Sequence, residues 1–467
     1  MKKSRKIKWY NLGFMAFSSV WGFGNVINGF SEYGGLKAII SWLLIFGLYF
    51  VPYALMVGEM GSAFKNLGGG VSSWIHETMN PKIAYYAGWT YWVVHMPYIS
   101  QKPQGALIAL SWAITGSGDL MTGISPIVMQ LIALGIFLVV TFITTKGINP
   151  LKNMATIAGS SMFVMSLLFI VLMIAAPALT EQSFNTIDFD LKTFMPSFDI
   201  KFLSSLSILV FAVGGCERIS PYVNKMNKPG VDFPKGMIFL TVMVASTAIL
   251  GTVALGMMFD SNNIPKDLMM NGAYYAFQRL GVYYGVGNFF MIVYALCNVV
   301  GQLSVLVVAI DSPLRMLLDA TDKKYIPSKL FKQNKHGVYI NGVWMVVVIT
   351  SVLIIVPGLL PGDSVDMFNQ LIKLNAVTMP LRYLWVFVAY IALKKSGDKF
   401  VSEYKLTKSR VLGYIIGAWC FLFTSVACIG GMFNADETAR IIMNIATPFI
   451  LVALGLLLPV LAKRERT

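Results

Sequence analysis

The chain has 467 residues, 56% of them hydrophobic and 13% charged, with a mean hydropathy of +0.67. That balance excludes an ordinary soluble protein, and apolar runs of about 20 residues recur so closely that no stretch of about 50 residues is left for a separate domain. The net charge of +15 suits acidic lipid or nucleic acid by its size alone, but most of the 37 Lys and Arg fall in the tails and the even-numbered loops. The excess is therefore a topology signal: a multi-pass protein of a bilayer, both termini cytoplasmic, with no nucleic acid partner.

About twelve spans are expected by length, near 9–30, 36–61, 82–114, 125–145, 151–176, 202–224, 235–259, 283–312, 339–357, 364–393, 409–431 and 439–462. The first follows a basic start, Met1 to Lys8, without an Ala-x-Ala-like cleavage site, and reads as a retained helix. It contains Trp21-Gly22-Phe23-Gly24-Asn25 and then Asn28 and Gly29. A helix within a bilayer satisfies its own backbone, so glycines interleaved with amides at mid-depth mark a break whose freed groups must face protein, water or a ligand. Glu59, at the cytoplasmic end of the second span, is expected to pair with a loop lysine.

The third span opens with Tyr85, Tyr86, Trp89, Tyr91, Trp92 and Tyr98, an aromatic face expected to act mostly as an interfacial anchor. His95 reads as a packed histidine rather than a proton carrier. Gln101-Lys102-Pro103-Gln104 puts an ammonium into the middle of this span, where Lys102 either meets an anionic ligand, pairs with a carboxylate such as Glu217, or snorkels outward.

The sixth span repeats the signal of the first with Phe211-Ala212-Val213-Gly214-Gly215-Cys216-Glu217, and Glu217 is the foremost ionisable candidate. Asp311, Arg315 and Asp319 read as an ion-paired helix end after the eighth span. Lys373 beside Asn375, and Arg382 after Pro380, raise the question posed by Lys102 for the tenth. Cys216, Cys297, Cys420 and Cys428 all lie in apolar spans, so no disulfide framework is expected. No nucleotide, metal or hydrolase motif is present.

Glycines also serve close helix packing, yet two breaks five spans apart, each beside polar residues, point to a transporter built from inverted repeats with its substrate at the midplane. Amide N–H groups at a half-helix N-terminus attract a carboxylate and carbonyls at a half-helix C-terminus attract an ammonium. An amino acid carries both. The expected site is thus Gly22, Phe23, Gly24 and Asn25 for the carboxylate and Phe211, Ala212, Val213, Gly214 and Gly215 for the amine, with Glu217, Lys102 and Lys373 in gating or coupling.

At these positions the chain resembles the amino acid–polyamine–organocation superfamily, in particular its glutamate/γ-aminobutyrate antiporter branch. The matching residues are Val223-Asn224-x-Met226-x-x-Pro229-Gly230-x-Asp232-Phe233-Pro234, Lys192-Thr193-Phe194-x-Pro196-x-Phe198, Phe50-Val51-Pro52 with Glu59-Met60, Gly69-Gly70-Val71 with Trp74, Ser312-Pro313-x-Arg315, and Ile326-Pro327 to Asn334-Lys335-x-Gly337-Val338. The resemblance implies an all-α membrane protein, one integral domain over 1–467. It has two five-helix inverted repeats, near 9–176 and 202–393, with helices 1 and 6 broken, and two trailing helices over 409–462.

It also implies alternating access, exchange of an amino acid, glutamate among them, for its decarboxylation product or another amino acid, and a gating role for Tyr91 and Trp92 as aromatics of helix 3. Short loops and the basic start suit a bacterial plasma membrane, and no enzyme activity and no cofactor are expected. A proton-coupled or broad amino acid permease is the alternative within transporters; a channel or receptor is the alternative outside them. The tail from Leu461 is too short for the folded plug of the acid-resistance antiporters, so pH gating by such a plug is not expected.

Overall fold

The computed structural model describes residues 7–67, 70–146, 149–183, 190–435 and 437–466. Residues 1–6, Gly69 and the side chains of Ser312 and Asp319, all named above, lie outside that description. Among the described residues the chain is helical almost throughout, and ten helices are long and apolar enough to cross a bilayer. Two further spans bring the count to about twelve. One is interrupted, and the other carries Gln101, Lys102 and Gln104, so neither reads as a simple apolar helix.

In chain order the first span is α1 (Trp9–Val20) and α2 (Phe23–Glu32), and the second is α3 (Gly35–Ala63). Pro52 has no N–H to give to the preceding turn, and α3 widens into a π turn over Phe46–Phe50 just before it. A helix outside the spans, α4 (Gly70–Thr78), leads to the third span, α5 (Pro81–Val93) and α6 (His95–Thr115). Then come α7 (Pro126–Thr145) and α8 (Asn149–Leu179).

The second half repeats the plan. The sixth span is α9 (Ile200–Val213) followed, after Gly214 and Gly215, by a 3-10 segment (Cys216–Lys225). The seventh is α10 (Pro229–Met258), followed by another helix outside the spans, α11 (Leu268–Tyr283). The remaining spans are α12 (Phe289–Ala320), α13 (Ile340–Ile355), the pair α14 (Ser364–Thr378) and α15 (Leu381–Lys395), α16 (Arg410–Met432), and the pair α17 (Thr438–Ala453) and α18 (Leu457–Arg464). A broken span followed by a span and a short extra helix thus occurs twice, five spans apart, as an inverted repeat requires.

Two groups of spans build the interior. α1, α3, α10 and the 3-10 segment pack together, while α6 packs along α12, which also contacts α8. Small residues set these approaches: a side chain at Gly29 would collide with the Trp42 indole, and one at Gly61 with the Phe233 ring. The outer faces carry Leu131, Val139, Phe142, Val348, Val352, Leu422 and Ile429, all exposed, as the lipid-facing side of a bundle must be.

The aromatic start of the third span corrects one expectation. Tyr85 and Trp89 are buried rather than interfacial: Tyr85 donates to the Gly455 carbonyl at 2.6 Å, and Trp89 Nε1 to the Leu451 carbonyl at 3.0 Å. They fasten the last span to the third. Trp92 is also fully buried, its ring 5.0 Å from that of Trp89.

Both ends of the described chain sit on one face. Ile7 N–H bonds to the Lys225 carbonyl at 3.0 Å in the loop after the sixth span. Glu465 accepts from the Ser328 N–H at 2.7 Å in the loop after the eighth, and hydrogen bonds from Ser328 hold its carboxyl below the usual range. The expected loop pairing of Glu59 is met by Lys394, at the end of α15, at 2.5 Å. Arg315 pairs with Asp311 at 2.6 Å as expected. The four cysteines are free.

Candidate functional site

The two breaks face one cavity of about 270 Å³, close to the small end of small-molecule sites (~300–1,000 Å³). At the first break, α1 ends with the Trp21 N–H on the Phe17 carbonyl at 2.8 Å, Gly22 is extended, and α2 starts again at Phe23 with no side chain capping it. The opening N–H groups of a helix have no partner within it, and here Gly22, Phe23, Gly24 and Asn25 line the cavity, although the Asn25 N–H is already bonded to the Gly22 carbonyl at 2.9 Å. A Cβ on Gly22 or Gly24 would meet nothing within 4 Å. These two glycines therefore keep space open rather than letting another helix approach.

The second break is built differently. α9 ends at Gly214, Gly215 takes a φ of +109° that a side chain rarely adopts, and the chain resumes as the 3-10 segment. A side chain at Gly214 would overlap the Tyr383 ring, and one at Gly215 would come within 3.0 Å of the Arg382 guanidinium. Of the five residues expected here, Phe211 and Gly214 line the cavity, while Ala212, Val213 and Gly215 are buried behind it. The two breaks are tied together by Asn25, whose Nδ2 donates to the Ala212 carbonyl at 3.1 Å and lies 3.4 Å from the Val20 carbonyl. Asn25 thus uses its amide hydrogens on the protein, and one of the expected amine-binding carbonyls is already engaged.

Glu217 does not reach the cavity. It is fully buried, and its carboxylate accepts from Tyr53, from Tyr91 at 3.2 Å, and faces Arg382 Nε at 3.4 Å. Expulsion of a carboxylate from water is tolerated only with such charge-assisted partners. Its salt bridge is to Arg382 rather than Lys102. Arg382 lies 5.1 Å from the Tyr91 ring centroid and 5.0 Å from that of Tyr383, within cation–π range. Tyr91 therefore holds Glu217 and Arg382 from outside the cavity lining, and Trp92, packed on Trp89, is not among the lining residues either.

Lys102 does line the cavity, its Nζ 4.1 Å over the Tyr98 ring. Lys373 is half-buried and is not among the lining residues, whereas its neighbour Asn375 donates to Gln101 Oε1 at 2.8 Å. The sequence reading missed Arg218, which lines the cavity with its guanidinium 5.6 Å from the Tyr98 centroid. It also missed a polar strip on α12, where Gln302 donates to Asn298 at 3.0 Å and Asn298 to the Tyr274 hydroxyl at 2.7 Å. Two signals were available: Arg218 stands directly after Glu217, and Asn298 and Gln302 are spaced four apart on one face of a membrane helix. Lys102, Arg218 and Arg382 all line the cavity, and no Asp or Glu is among the described lining residues.

Two broken spans around a central polar cavity are the arrangement of a membrane transporter. The fold agrees with that of a solved structure, MhsT in complex with L-phenylalanine, at a TM-score of 0.58 and 15% identity over 96% of this chain and 100% of that one. The family profile described as amino acid permease matches residues 7–454, and the chain belongs to that family. It is 49% identical to the aspartate/glutamate permease AcaP of Lactococcus lactis subsp. cremoris (strain MG1363), over 99% of this chain and 96% of the relative. It is 23% identical to the glutamate/γ-aminobutyrate antiporter of Lactococcus lactis subsp. lactis (strain IL1403), over 83% and 76%. The chain is a multi-pass amino acid transporter of the expected superfamily, with two five-helix inverted repeats and two trailing spans.

Proposed function

We propose that the chain carries acidic amino acids, aspartate and glutamate, by alternating access. The observation that carries this reading is the charge of the cavity lining: three cations, no described carboxylate, and one of the three, Arg382, already facing Glu217. A zwitterion needs a balanced site. A dicarboxylic amino acid brings one extra negative charge, which suits a lining rich in cations, a guanidinium being well shaped for a carboxylate.

The α-carboxylate goes to the N–H groups opening α2 at Gly22 to Gly24, and the amine to carbonyls at the end of α9 with help from the amide strip on α12. Glu217, with Tyr53 and Tyr91, supports the gate from behind the lining. The similarity to a protein named as an aspartate/glutamate permease supports the substrate class. Exchange against another amino acid or its decarboxylation product is the mode we read from the likeness to the glutamate/γ-aminobutyrate antiporter. The same reading sets the protein in a bacterial plasma membrane with both termini cytoplasmic, its repeats spanning about 9–176 and 202–393.

Proteoliposomes test this. Labelled aspartate or glutamate should accumulate by counterflow, with asparagine and glutamine poor competitors, and Arg218→Ala or Lys102→Ala should raise the KM about tenfold or more, one lost charged contact being about 1.5–3 kcal/mol. Counterflow of neutral or cationic amino acids alone would overturn the substrate class. Uptake into empty liposomes equal to that into preloaded ones would replace exchange by net transport.

A further inference from the structure

His95 sits where α5 gives way to α6 and is buried, outside the cavity lining. Its two ring nitrogens face groups of opposite kind. Nδ1 lies 2.6 Å from the Tyr91 carbonyl, which can only accept a hydrogen bond. Nε2 lies 2.7 Å from Arg382 Nη1 and 3.4 Å from Arg218 Nη2, and a guanidinium can only donate. The only proton arrangement that satisfies every partner puts the hydrogen on Nδ1 and leaves the Nε2 lone pair to both arginines. A second proton on Nε2 would set a cation against two guanidiniums and remove their acceptor.

His95 begins a stripe with Tyr98 and Lys102, spaced three and four apart on one face of α6. Tyr98 carries Lys102 on its ring at 4.1 Å and Arg218 at 5.6 Å. The other charged groups packed against the imidazole are Arg218 of the 3-10 segment, Arg382 of α15 and, through Arg382, Glu217; Tyr91 and Tyr98 are its ring neighbours. One neutral lone pair thus joins the arginine held by Glu217 to the arginine on the cavity wall.

We propose that His95, as the neutral Nδ1–H tautomer, is a positioning residue that sets selectivity for acidic substrates by orienting Arg218 at the cavity wall and Arg382 beside Glu217. The proposal rests on the acidic-substrate reading above. Two variants separate its parts: His95→Leu keeps the bulk without an acceptor, and His95→Gln puts an amide oxygen near the position of Nε2. In counterflow with aspartate and asparagine, His95→Leu should raise the aspartate KM about tenfold and collapse the aspartate-to-asparagine ratio of kcat/KM. His95→Gln should stay within about threefold of the wild type in both.

An unchanged ratio in His95→Leu overturns the proposal, and so does a His95→Gln as impaired as His95→Leu, since the role would then be bulk alone. An independent arm needs no variant to fold. With 15N-histidine in the whole protein, which has three histidines, the buried ring should show a protonated Nδ1 and an unprotonated Nε2 at neutral pH, and the reverse tautomer or an imidazolium overturns the assignment. A wild type that moves neither aspartate nor glutamate would sink the substrate reading instead, while the tautomer and the His95→Gln comparison on whatever substrate is moved would still decide the fate of His95.

Discussion

Gly22 and Gly24 differ from Gly29 and Gly214 only in surroundings, and those surroundings separate binding from packing. A methyl group at Gly24 enters open cavity space, so Gly24→Ala should leave the melting temperature of the detergent-solubilised protein nearly unchanged. It should raise the KM for aspartate roughly tenfold, each such factor being about 1.4 kcal/mol. Gly214→Ala should do the reverse of sparing the fold, because the new Cβ overlaps the Tyr383 ring and overpacking costs about 1–3 kcal/mol. Equal loss of stability in both would remove the distinction. The sequence made all these glycines candidates alike, because spacing reports where a helix can break and not what fills the space beside it.

At the scale of elements, the third and tenth spans hold the site together through groups that are polar inside a membrane. Gln101 meets Asn375, His95 meets Arg382, and at the far end of the tenth span Lys394 meets Glu59. Glu59 also accepts from Tyr390 at 3.0 Å and from the Leu406 N–H at 2.9 Å, so the loop after α15 is clasped onto α3. Lys394→Ala leaves that carboxylate buried without its cation, a loss of about 3–5 kcal/mol. A lower melting temperature should follow, largely restored in the double variant Glu59→Gln with Lys394→Met. Failure of the double variant to recover would assign the loss to packing of the lysine stem. That Glu59 needed a cation was legible from its place in an apolar span; that the cation came from 335 residues along the chain was not.

For the whole molecule, the basic loops and both described ends share one face. A cysteine introduced by Lys332→Cys, in the exposed loop after the eighth span, should react with a membrane-impermeant maleimide in inverted vesicles and not in intact cells. Labelling in intact cells would reverse the orientation proposed from the Lys and Arg distribution.

Span number, the two breaks and their five-span offset were readable from the sequence alone, because a bilayer leaves a chain few ways to satisfy its backbone and punishes each departure from them. Pairing was not readable in the same way. Glu217 took Arg382 rather than Lys102, Asn25 spent an amide hydrogen on the Ala212 carbonyl, and Lys373 stayed off the cavity while Arg218 joined it. Each of these turns on which helix faces lie within about 3 Å of one another, a distance set by the packing of spans far apart in the chain, to which local periodicity carries no information.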